Sequence, residues 1–242
     1  MPVEGSDEQK QTNEIRMAAP LLDKCEISGK LITADALLTQ HKLASYIVAR
    51  GADYHFTAKG NQPHLEEAIR TLFETRSDIA DFVEITPPDH GRIETRSIWC
   101  SVALNGYLTF PHVGQVFLIK RESVKKKTGE ATCEIVVGLT SHTPSQATPQ
   151  QVLAANRGHW CIEAAHYVID WNFNEDRSRI RTKFGPENIT LLRRFAMSVL
   201  RLFQKSGQTI AAMTRKLGTS NRMVFDYLRM TTNSVPVARR QI

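Results

Sequence analysis

The sequence predicts an α/β fold with an inserted antiparallel β-region and C-terminal helices. Short β-branched runs flank one amphipathic segment between residues 31 and 58. From about 81 to 142 the chain breaks into β-forming runs separated by turn-formers. After about 149, apolar residues recur at helical spacing. With 242 residues, 41% hydrophobic and 23% charged, the chain is long enough to bury a core without staples.

Residues 1–15 are polar and expected to be unstructured. KLITADAL reads as a strand ending at Asp35. HKLASYIVARG is amphipathic and closes on Gly51, a good helix stop. DYHFTAKG reads as a second strand. Strand, helix and strand with short links imply a right-handed crossover and a parallel pair. In GNQPHLEEAIRTLF, Pro63 suits the first helical turn. Leu65, Ala68, Ile69, Leu72 and Phe73 repeat at helical spacing, so one face is buried.

DFVEIT, RIETRSIWCSVAL, VGQVFLIKR and TCEIVVGLTS read as strands, with PPDHG and KKKTGE as turns. They form the antiparallel sheet expected at about 81–142, inserted into the α/β frame. SHTPSQATPQ is a loop. One helix is predicted from about 149 to 171, and PENITLLRRFAMSVLRLFQ is another. One or two shorter helices run to about 230, followed by a polar tail. The expected organisation is a disordered 1–15, a main domain at 16–206, and C-terminal helices with a tail at 207–242.

The net charge of +6 and pI of about 9.2 lean toward a polyanionic partner. Cys25, Cys100, Cys133 and Cys161 show neither Cys-x-x-Cys nor zinc spacing and are expected to be buried free thiols in a reducing cytoplasm. The polar N-terminus lacks a signal peptide's apolar core, and no apolar run approaches membrane-spanning length, so a cytoplasmic chain without a membrane partner is expected.

Asp35 stands at the carboxyl end of a predicted parallel strand, where open α/β sheets place their sites, although it could simply cap the next turn. His159, Glu163, His166 and Asp170 fall at i, i+4, i+7 and i+11, on one helix face. The flanking Trp160 and Tyr167 suggest that Glu163 is partly buried, and a buried carboxylate needs a partner such as a cation. EAAH has the Glu-x-x-His spacing of di-iron bundles, but those need it twice and the chain has it once. Two carboxylates from distant segments suit Mg²⁺, which completes its shell with waters and phosphate oxygens. Arg177, Arg179, Arg181 and Lys183 lie two apart. With Arg92, Arg96 and the KRESVKKK run they suggest phosphate contacts that position DNA. Lys59, in the KGNQP turn, either reaches a phosphate or belongs to a plain helix start.

ITADAL, GADYHFTAKGNQPHL, DHGRIETR, NRGHWCIEA, DW-x-FNEDRSRIR and PENITLLRR resemble, in order and spacing, bacterial insertion-sequence transposases of the DDE type. The subgroup is the As-one type, which includes the H-repeat-associated proteins, and the likeness runs from about Asn13 to Gln204. The resemblance implies a ribonuclease-H-like catalytic core with a β-insertion before the last catalytic helix. It implies hydrolysis and strand transfer at transposon ends with Mg²⁺ (or Mn²⁺). Asp35 matches the second acid and Glu163 the third, both as catalytic metal ligands. His159 and Trp160 match positions near the DNA. Arg157, Lys59 and Asn61, within the matched strings, are implied as further DNA contacts. Transposon-end and target DNA are the implied partners, with a homodimer or pairing with a full-length transposase.

Two departures from the pattern stand out. The family's first aspartate lies in an upstream Asp-Gly-Lys segment that this sequence lacks, so the first strands of the core are expected to be missing. The family also has one more residue between the glutamate and the histidine of EAAH. A truncated copy, inactive alone, is therefore the expectation. The alternative is a non-catalytic DNA-binding or regulatory remnant; an unrelated metal-dependent nuclease ranks third.

Overall fold

A computed structural model describes residues 7–76, 79–89, 91–205 and 207–233. The chain divides into two compact units, Met1–His159 and Trp160–Ile242.

The first unit runs α1 (Asp7–Asp23), β1 (Leu31–Ala34), a 3-10 turn (Ala36–Leu38), α2 (His41–Ala49), β2 (Asp53–Ala58), α3 (Pro63–Glu74), β3 (Phe82–Asp89), β4 (Arg92–Ser101), β5 (Gln115–Lys125), β6 (Ala131–Thr140) and α4 (Pro149–His159). One six-stranded sheet has the order β1-β2-β6-β5-β4-β3. β1 and β2 pair in parallel, from Leu31 opposite Asp53 to Ala34 opposite Phe56. The other pairings are antiparallel.

Side chains alternate across a strand, so the sheet has two apolar faces. On one, Tyr54, Phe56, Val116, Val137 and Leu139 meet α2 and α3 through Leu43, Ile47, Leu65, Ile69 and Phe73. On the other, Ile98, Phe117 and Ile119 meet Val152 and Leu153 of α4. Each buried side chain of this size contributes about 1.5–3 kcal/mol. Three such residues hold α3, whose Pro63 sits in the first turn as its fixed φ favours.

The structure differs from the sequence reading in several ways. The β-region at 81–142 is not a sheet of its own: Val137–Thr140 of β6 pair with β2, so the hairpins extend one continuous sheet. Asp7–Asp23 is helical where residues 1–15 are expected to lack structure; its run of Glu, Gln and Lys favours helix, and Ala18 and Leu22 pack against the core. Residues 1–6 and the polar tail from 234 onward lie outside the described residues. The thiols are free but not buried: Cys25, Cys133 and Cys161 are exposed and Cys100 is half-buried.

In the second unit, α5 (Cys161–Tyr167) runs into a π-helical turn (Val168–Asn172), followed by α6 (Gly185–Phe203), α7 (Ile210–Leu217) and α8 (Asn221–Tyr227). The helix expected at 149–171 is therefore three pieces, because the chain turns at Trp160 and widens at Val168. Leu200, Phe203, Ile210 and Met213 form this unit's core with Val168, Phe173 and Tyr227. Thr209 and Ser220 cap α7 and α8 by accepting from the amides of Ala212 and Met223.

Charge divides unevenly. Residues 160–242 carry 14 Lys and Arg against six Asp and Glu, a formal +8; residues 1–159 carry 17 against 19, a formal −2.

Candidate functional site

Asp35 follows the last residue of β1 and is exposed. Its Oδ1 accepts from the Leu38 amide at 3.4 Å, capping the 3-10 turn. The turn is held from several sides. The buried Thr39 donates its hydroxyl to the Thr57 carbonyl at 2.5 Å. The Gln62 side-chain amide donates to the Thr39 carbonyl at 3.0 Å. The Asn61 side-chain amide donates to the Ala36 carbonyl. Asn61, expected as a DNA contact, is thus committed to the loop that presents Asp35. Thr39 and Gln62 carry no sequence signal beyond lying in the turns after β1 and β2.

The last turn of α4 also reaches β1. Nδ1 of His159 lies 3.1 Å from Oγ1 of Thr33, two residues before Asp35. A turn earlier, Asn156 Oδ1 lies 3.5 Å from Nε2 of His55. His55 is fully buried and stacks on Phe117, with centroids 4.5 Å apart and planes 10° apart. Burial pushes its pKa down to about 4, so the ring is neutral. Phe117 pairs across the sheet with Gly138, where a Cβ would overlap the Phe117 ring and the Phe56 carbonyl. These contacts lock α4 to the sheet beside the carboxyl end of β1.

The expected DNA contacts fare differently. Lys59 and Arg92 are exposed. Arg96 is paired with Glu94 and donates to Thr86 Oγ1 at 3.0 Å. Glu94 also accepts from Arg121 at 2.7 Å, which with Arg96 holds its carboxyl below the usual range. Nη1 of Arg157 lies 2.6 and 2.7 Å from the two Glu84 oxygens. Arg96 and Arg157 are therefore bound within the protein, because a cross-strand or helix-to-strand acid lies within reach.

In the second unit Glu163 lies in the first turn of α5 and is exposed rather than partly buried. Trp160 is 46% exposed. Arg177, Arg179 and Arg181 are all exposed. Arg177 stacks over Trp171 at 4.8 Å, and Arg181 donates to the Ile180 carbonyl at 3.1 Å. Among the described residues, no cluster of three or more His, Cys, Asp or Glu could hold a metal.

The Transposase DDE domain family matches residues 5–199. The chain belongs to the DDE transposase family. Its relatives place it in the H-repeat-associated group. YbfL of Escherichia coli K12 is 31% identical over 198 residues, covering 79% of this transposase chain and 52% of YbfL. The "H repeat-associated putative transposase YhhI" of the same strain matches at the same identity and coverage. A second such protein, YbfD, is 39% identical over 97 residues, covering 38% of each chain. The transposase chain thus spans about half the length of the curated relatives it matches. A piggyBac transposase synaptic complex with hairpin DNA covers 96% of the chain at a TM-score of 0.38 and 14% identity, too remote to inform the fold.

Proposed function

We propose that this chain is the DNA-processing part of an insertion-sequence transposase, with a ribonuclease-H-like core that acts on transposon-end and target DNA through Asp35 and Glu163. The observation that carries the reading is the family match over 5–199 together with an exposed aspartate at the carboxyl end of a parallel strand. Open α/β sheets bind their ligands outside such strand ends.

The donor set fits a hard divalent cation. Both acids are exposed carboxylates, and Mg²⁺ takes one or two carboxylates, waters and substrate phosphates. When bound, Mg²⁺ or Mn²⁺ supplies a Lewis acid for phosphodiester cleavage. Thr39, Asn61 and Gln62 keep the Asp35 turn in place. His159 holds the end of α4 against Thr33.

The family uses three acids and two are matched here, so the chain binds metal but does not transfer strands by itself. The partner supplying the missing acid is a full-length transposase. Mn²⁺ titration followed by electron paramagnetic resonance is expected to show binding in the wild type and a loss of about tenfold or more in Asp35→Asn and in Glu163→Gln. Equal binding in both variants would sink the assignment of the two acids. Clear cleavage of end DNA by the isolated chain with Mg²⁺ would sink the requirement for a partner.

A further inference from the structure

Tyr167 and Trp171 lie on the second unit and take no part in the metal chemistry proposed above. They are 62% and 56% exposed, yet their centroids lie 6.4 Å apart. Rings this large are mostly buried when nothing needs them outside. The π-helical turn Val168–Asn172 carries Trp171, and such widened turns recur at functional sites. The guanidinium of Arg177 packs on Trp171 and still leaves over half of that residue in water. Arg179, Arg181 and Lys183 follow in an exposed irregular segment. Non-glycine residues with positive φ, Asn174 at 52° and Lys183 at 48°, mark its two ends. Of the nearby acids, Glu175 accepts from the Thr190 hydroxyl at 2.6 Å, Asp176 is exposed and Asp170 is half-buried. Four cations within seven residues leave the segment positive.

We propose that Tyr167 and Trp171 stack on unpaired bases of a DNA strand while Arg177, Arg179 and Arg181 contact its phosphates. The proposal rests on the reading that this chain acts on DNA. In a duplex the faces of the bases are hidden by stacking; only a splayed or single-stranded base offers its π-face to a ring. Four clustered cations favour a polyanion over a protein surface, and ring stacking tolerates any base, which suits a strand held open for cutting or joining.

Fluorescence anisotropy with a short single-stranded DNA, the matching blunt duplex and the RNA strand of the same sequence tests this. Trp171→Ala is expected to weaken single-strand binding about tenfold. Duplex binding should hold steady, and Trp171→Phe should retain most of the single-strand affinity. Equal losses on both DNA forms, no loss in Trp171→Ala, or tighter binding to RNA would overturn the proposal. Single-strand binding that persists without any dependence on the rings removes this proposal alone. Failure to bind either form of DNA removes the DNA reading beneath it.

Discussion

His55 is the residue whose surroundings most constrain the first unit. It is buried, stacked on Phe117, and faces Asn156 of α4. Burial lowers its folded pKa to about 4 from 6.5. The unfolded chain therefore takes up a proton first as pH falls, and stability drops between pH 6.5 and about 4. The full difference is about 3 kcal/mol, complete below the folded value. Chemical denaturation across that range should show the loss, and His55→Gln should flatten it; an unchanged slope in the variant would assign the effect to other groups. The same neighbourhood shows what a linear reading misses. Gly138 reads as an ordinary residue in a β-run, yet it makes room for the ring beneath His55. Asp35 and Glu163 stand out in the sequence as candidates because a strand end and a motif mark them. Thr33, Thr39 and Gln62 do not, because their partners come from other segments.

Helix α4 acts as a strut across one face of the sheet. Val152 and Leu153 seat it, and polar contacts fix its two sides: Arg157 to Glu84 of β3, His159 to Thr33 of β1. Arg157 is nearly half exposed, so the pair contributes under about 1 kcal/mol. Glu84→Gln should accordingly leave thermal stability almost unchanged while freeing Arg157 and modestly tightening DNA binding, read by anisotropy. Weaker binding in that variant would exclude Arg157 as a phosphate contact. Most elements were legible from period and turn residues, including β1, α2, β2, α3 and all four strands of the β-region. The unbroken 149–171 helix was not, since nothing in WCIEAAHYVIDW signals a change of turn width. Nor was the continuity of the sheet, because β2 pairs with a strand far along the chain, from His55 opposite Thr140 to Ala58 opposite Val137.

At the scale of the whole molecule, the overall charge of +6 conceals the division between the two units. Composition pointed to a polyanion but could not place it, and the basic runs of the β-region drew attention to the unit that is slightly acidic. If Arg177, Arg179, Arg181 and Lys183 all meet phosphates, single-strand affinity falls about fiftyfold from 50 to 200 mM salt. Arg181→Ala should reduce the salt slope by about 1, while paired Lys126→Ala and Lys127→Ala changes should leave it alone. The reverse result would move the interface to the first unit. No helix among the described residues is long and apolar enough to cross a membrane.

The lopsided charge also bears on stoichiometry. A strand that neutralises residues 160–242 leaves the other unit with its formal −2, which offers a further phosphate backbone no net attraction. If the chain acts on transposon ends as proposed, one molecule would hold a single DNA segment, and drawing two ends together would take two molecules.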